Sequence, residues 1–285
     1  LLIIIWLLKL SHLMFEFATL GVLTTLSLAF TGCVSTTSVG TLGAERKQLM
    51  IIPEGAWNKM ADRNFKKFEK KAKDKSLYIV DARLNNILAR LIPHANEYVE
   101  NRKKPINWKI NANLSSKPNA HSFPSGQIIV NTSVYMFEDL SDDELATLIA
   151  HEMAHILRGH SREKASLYTA TNVALLSTTM GAGYALGLTG GVSGNYGVYM
   201  PHSRQLEHEA DLIGLDLMVR AGYEAQASLS FWEKFEAQLK SRNLDNKTPT
   251  FLASHPQSEH RKEMLQDHIL AIESQKSGPT FSAKN

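Results

Sequence analysis

Only one cysteine, Cys33, occurs in 285 residues, so no disulfide can form within the chain. Net charge is nearly absent too, at +3, which removes the usual argument for a nucleic-acid partner. Locally the lack of charge is complete: residues 165–203 contain no Asp, Glu, Lys or Arg, and His202 is their only imidazole. No helical repeat of the tetratricopeptide kind is legible in these residues. What is present is ordinary globular composition, 44% hydrophobic and 21% charged, enough for one sizeable domain.

The most informative stretch is residues 141–157. Ser141 followed by Asp142, Asp143 and Glu144 fits a capping box, with the acids at the positive end of the helix dipole. Leu145, Leu148, Ile149, Met153, Ile156 and Leu157 then recur at helical spacing, which predicts a buried face. His151 and His155 are one turn apart and project from the same side. Two neutral imidazoles so placed can hold one tetrahedral metal ion, and Glu152 beside the first can take a proton from water. The H-E-x-x-H spacing on a buried helix therefore points to metal-assisted hydrolysis.

A third ligand is needed. The metzincin variant requires a glycine and a third histidine where Arg158 and Ser161 stand, so it is excluded. His160 is out of phase with His155 and is expected at a helix end, where a basic side chain favours the dipole. A second helix, residues 203–214, supplies carboxylates. Glu207 and Asp211 lie four apart on one face, so a ligand and a supporting acid can both point at the histidines.

His151-Glu152-Met153-Ala154-His155 followed by Glu207-His208-Glu209-Ala210-Asp211-Leu212-Ile213-Gly214 resembles the gluzincin family of zinc metallopeptidases that holds HtpX, the CAAX prenyl proteases and the periplasmic BepA-, LoiP- and YcaL-type proteases. The likeness extends to residues 119–132, similar to the family's N-A-x-x-x-P-G-G-x-I-x-V-x-T strand pair but with Ser125 where glycine is usual. His255-Pro256 with Arg261 is similar to its H-P-x-x-x-x-R segment. The resemblance, over residues 107–262, implies one zinc ion held by His151, His155 and Glu207, with Asp211 supporting a ligand histidine and Glu209 outside the ligand set. It further implies that His255 either blocks the zinc at rest or stabilises the oxyanion, that Arg261 lines the cleft, and that a substrate strand runs near Asn119, Ala120 and His121.

Elsewhere, an apolar run before Cys33 reads as an export signal over residues 1–32. Residues 28–33 resemble a bacterial lipobox, which would make Cys33 a lipidated N-terminus. Residues 33–50 are then expected to be a flexible tether, because 35–43 are rich in serine, threonine and glycine. Residues 51–273 form the zinc metallopeptidase domain and 274–285 a disordered tail. The basic run at residues 66–75 reads as a solvated helix face. Residues 78–98 have helical periodicity, with His94 at the helix end, whereas 107–111 and 127–132 read as strands joined by a turn at Pro124.

One membrane span within residues 165–203 would set Glu207 across the bilayer from His151, and two spans do not fit there. Residues 165–188 are expected as a helix over the core, and the glycine-rich 190–197 as a loop near the cleft. Gly222 is expected to end a turn before an amphipathic helix at 230–235 whose Trp232 and Phe235 enter the core; a last helix spans 261–272.

The reading is thus an α+β, mostly helical domain of gluzincin type with a small sheet beside the zinc helix. Its expected function is a zinc endopeptidase of the bacterial envelope, outer-membrane anchored in the periplasm. Its expected partners are unfolded or misassembled outer-membrane proteins, the assembly machinery for them and the membrane itself. The alternative is a chaperone or adaptor with latent proteolysis.

Overall fold

A computed structural model describes residues 33–37, 46–100, 102, 104–136, 139–182, 200–241, 255 and 259–276. The central helix, α3 (Asp142–Leu157), starts where the sequence places it. Its Ser141 hydroxyl accepts from the Glu144 N–H at 3.2 Å, and Glu144 Oε2 accepts from the Ser141 N–H at 2.9 Å. Every residue from Glu144 to Leu157 is buried, as expected of a helix whose apolar positions are covered on all sides.

Before it come α1 (Glu54–Asp74), α2 (Ala82–Glu97) and a four-stranded sheet made of β3 (Tyr78–Ile79), β4 (Lys109–Asn113), β5 (Ala120–Ser122) and β6 (Gln127–Asn131). The order is β3-β4-β6-β5, with β4 and β6 parallel and the other pairs antiparallel. β6 is buried along its length, so the branched residues Ile128, Ile129 and Val130 fill the layer between sheet and helices. β5 is an edge strand and packs beside α3. The turn before β6 depends on Gly126: its φ is +113°, and a Cβ there would lie 2.5 Å from the Asn107 carbonyl oxygen.

After α3, Gly159 breaks the chain at a φ of +61° and α4 (His160–Ala182) begins. Next come α5 (Met200–Arg220), α6 (Ala227–Ser241) and α7 (Glu259–Lys276). α3 packs most extensively on α5. Gly214 permits their close approach, because a Cβ at that position would lie 3.1 Å from the His151 backbone nitrogen. Gly222, at a φ of +79°, lies in the turn that follows α5, ahead of α6.

Several expectations change. The strands at 107–111 and 127–132 are not joined by the turn at Pro124: β4 and β6 run parallel, and that turn instead joins β5 to β6, where the Gly126 N–H donates to the Phe123 carbonyl at 2.9 Å. Tyr78 and Ile79 belong to a strand rather than to the helix that follows, because the Asp81 carboxylate accepts the Leu84 N–H at 3.1 Å and starts α2 there. The last helix runs past Ile272 to Lys276. The tether is docked, not free, wherever it is described. β1 (Cys33–Val34) pairs with β2 (Gln48–Leu49), and Thr37, Arg46 and Gln48 hydrogen-bond to polar groups at the end of α3 and the start of α4. Those groups are buried and need partners, which outweighs the loose composition. Residues 1–32, 183–199 and 277–285 lie outside the described residues, and with them the export signal, the 190–197 loop and most of the tail. No described helix is long and apolar enough to cross a membrane.

Candidate metal centre

α3 and α5 face each other across the Gly214 contact, and their polar residues meet at one point. His151, His155, Glu207 and His255 each present a ligand atom, all within 4.8 Å of one another. His151 Nε2 lies 3.1 Å from His155 Nε2, 3.3 Å from Glu207 Oε2 and 3.3 Å from His255 Nδ1. Glu207 Oε2 is 2.8 Å from His255 Nδ1, and Glu207 Oε1 is 3.6 Å from His155 Nε2. One imidazole nitrogen cannot hydrogen-bond to three such neighbours at once.

A cation resolves the arrangement. A tetrahedral ion bonded at about 2.1 Å holds its ligand atoms roughly 3.4 Å apart, close to the spacings here. Glu207 Oε1 and Glu152 Oε1 are buried and have no hydrogen-bond partner among the described residues, a cost that a nearby cation would offset. Imidazole nitrogens with a carboxylate oxygen are the donor set of a borderline-soft metal. The residues present therefore fit a divalent ion.

Buried carboxylates dominate the electrostatics of the site. Burial opposes charge on His151, but Asp211 and Glu207 outweigh it and lift the imidazole to about 9. At His155 burial wins and holds the ring well below its ordinary value. Burial would raise Glu207, yet His255 and His155 hold it well below the usual carboxylate range. An acid that stays ionised is a ready anionic ligand, and a bound cation would replace the proton that the carboxylates hold on His151.

The other expected residues are placed as follows. Glu152 is buried on α3, with Oε1 3.5 Å from His255 Nε2. His151 Nδ1 donates to Asp211 Oδ1 at 3.0 Å, and Asp211 is in turn paired with Arg261. Arg261 is thus buried behind His151 and lies 3.8 Å over the Trp232 ring. Asn119 and Ala120 sit at the start of the edge strand, where the Asn119 carbonyl accepts the Asn131 N–H at 2.8 Å. His121 follows on the same strand, packed against Phe68 and Phe123.

His160 is not at the negative end of a helix. It opens α4, where a cation would be disfavoured, and burial lowers its pKa, so the expected dipole role does not hold. Instead its Nδ1 lies 2.7 Å from His155 Nδ1. Glu209 stays outside the ligand group as expected, but its partners, His160, Arg158 and Arg46, were not foreseen. Trp232, expected only as core, also sets its ring edge against His151 at 5.4 Å between centroids.

A small mixed sheet, a buried H-E-x-x-H helix and a facing carboxylate helix define a class of protein: a metallopeptidase domain. The sequence model of peptidase family M48 matches residues 79–269, and the chain belongs to that family. Among curated relatives, the mitochondrial metalloendopeptidase OMA1 of Saccharomyces cerevisiae is 35% identical over 168 residues, 56% of this chain and 46% of that one. Human metalloendopeptidase OMA1 is 30% identical over 234 residues, 77% and 44% of the two chains. The beta-barrel assembly-enhancing protease of Escherichia coli is 27% identical over 188 residues, 62% and 36% respectively. The chain spans less than half the length of each of these relatives.

Proposed function

We propose that the protein is a zinc-dependent endopeptidase in which His151, His155 and Glu207 hold the ion and Glu152 moves the proton. One observation carries the reading: three ligand atoms from two helices converge on a point beside the buried Glu152, whose Oε1 has no hydrogen-bond partner among the described residues. When bound, zinc supplies Lewis acidity to a carbonyl and to water. Glu152 takes the proton of the attacking water and delivers it to the departing amine. β5, an edge strand beside α3, presents its outer edge to an extended substrate near Asn119, Ala120 and His121. His255 lies against both Glu207 and Glu152, so it caps the site at rest and must move before a substrate enters.

The wider reading is quality control of unfolded or misassembled outer-membrane proteins by a protein anchored through lipid on Cys33. Its support is the lipobox-like sequence and the likeness to a protease named for enhancing β-barrel assembly. The intact mass of membrane-recovered protein reads the lipid directly. The likeness to mitochondrial OMA1 proteins leaves the catalytic reading unchanged, since both relatives are proteases.

The test is casein cleavage and zinc content of the full chain, wild type beside Glu152→Gln. Cleavage is expected to fall about 10²- to 10⁴-fold with zinc retained. Undiminished cleavage by Glu152→Gln would remove its assigned role. Zinc in both proteins with cleavage in neither would favour the alternative of a chaperone with a latent site, held shut by His255.

A further inference from the structure

His155 is approached from behind by a chain of polar groups that the proposed reaction does not use. We propose that His160 and Glu209 are positioning residues that fix the tautomer and orientation of His155, and that Arg46 and Arg158 hold the far end of this relay. The proposal rests on the reading of His155 as a metal ligand. His155 turns Nε2 toward His151 and Glu207, so in the neutral ring the proton sits on Nδ1. Its partner there is His160 Nδ1 at 2.7 Å, and of two imidazole nitrogens at that distance one must donate and the other accept. His160 accepts, which places its own proton on Nε2, and Nε2 faces Glu209 Oε2 at 3.3 Å. Each proton position follows from the one before.

The carboxylate at the end is itself fixed. Arg158 Nε donates to Glu209 Oε2 at 3.1 Å, and Arg46 pairs with Glu209 Oε1. Arg46 also reaches Glu163 at 2.5 and 2.8 Å. Gln48 donates to Glu163 at 2.6 Å and to the Arg158 carbonyl at 2.7 Å. Arg158 Nη1 donates to the Thr37 hydroxyl at 2.9 Å, and its Nη2 to the Arg46 carbonyl at 2.8 Å. The docked N-terminal segment therefore closes the relay from outside. Its contacts link residues ahead of the matched family region, 79–269, to the geometry of the metal helix.

The experiment measures zinc affinity by competition with a chromophoric chelator, the absorption of the cobalt(II)-loaded full chain and the unfolding of the metal-free protein. His160→Leu removes the acceptor for His155, whereas His160→Asn keeps an amide oxygen near the place of Nδ1. Zinc affinity is expected to fall about 10- to 100-fold in His160→Leu, to recover substantially in His160→Asn, and the cobalt(II) bands are expected to move in the first variant. A merely structural histidine would lower the stability of the metal-free protein and leave those bands in place; that result overturns the relay. So does a folded His160→Leu that binds zinc as tightly as wild type. Where His160→Leu does not fold, Arg46→Gln loosens Glu209 from the surface. A weaker site in that variant supports the relay, and an unchanged site overturns it. If wild type takes no zinc, the metal reading fails and this inference with it.

Discussion

The two histidines of α3 are supported in opposite ways. His151 meets a carboxylate directly, and everything behind it is carried by helices: Asp211 on α5, Arg261 on α7 and Trp232 on α6. His155 meets its carboxylate through another histidine, and the outermost cation, Arg46, comes from a segment far back in the chain. The first support is buried throughout, whereas the Arg46 side chain is 22% exposed. One side of the site is built into the core; the other is closed by a strap. The side closed by the strap is the one that a change at the surface can reach.

The comparison breaks most readily at Asp211. Asp211→Ala leaves Arg261 buried without its anion and His151 without its acceptor. Loss of one member of a buried pair costs about 3 to 5 kcal/mol. The metal-free variant is therefore expected to unfold at much lower urea than wild type, with the change read as a shifted midpoint. A small shift would show that the His151 side is no more deeply built than the His155 side.

Trp232→Phe probes the same side more gently. The Arg261 guanidinium lies over the indole, a contact worth about 0.5 to 2 kcal/mol, and phenylalanine retains part of it. Stability is expected to drop by less than in Asp211→Ala, while His155 keeps its ring contact with His160. A loss as large as that of Asp211→Ala would assign the support of His151 to packing rather than to charge.

The same division explains what the sequence revealed. The His151 side follows helical arithmetic: His151 and His155 at i and i+4, Glu207 and Asp211 likewise, and a capping box to fix the start. Such periodicity is local and survives folding, so both helices and the convergence of their acids were legible. The His155 side rests on contacts that span from 5 to 163 residues of sequence. Nothing in the spacing of Arg46, His160 and Glu209 announces that they meet. Dipole reasoning misplaced His160 because the break at Gly159 put it at the start of a new helix rather than the end of the old one. Likewise the serine- and threonine-rich composition around residues 35–37 says nothing of the buried Arg158 that their hydroxyls serve. Short strands were legible unevenly: Tyr78–Ile79 is too brief to show alternation and reads as helix, whereas Ala120–Ser122, hardly longer, was expected only from the likeness of residues 119–132 to the family's strand pair.

A surface acid calibrates both sides. Glu69 on α1 accepts from Lys109 at 2.9 Å and from Lys73 at 3.0 Å, and belongs to neither support. The Lys109 hydrogen bond is the largest influence on it; burial alone would raise the group, but with Lys73 and Tyr78 adding to Lys109 the carboxyl is lowered to about 2 from 4.5. A carboxyl with a depressed folded pKa stabilises the fold above its unfolded value and ceases to do so as pH falls through the folded one. The contribution of Glu69 is thus present at neutral pH and disappears between about 4.5 and about 2. Because the pair is near solvent, Glu69→Gln is expected to cost only about 0.2 to 1 kcal/mol at pH 7 and nothing at the acid end of that window. Urea midpoints of the metal-free protein at both pH values check this. A Glu69→Gln loss that matched Asp211→Ala at neutral pH would erase the contrast between buried and surface ion pairs. A loss that persisted unchanged into acid would show that the contribution comes from packing and not from charge.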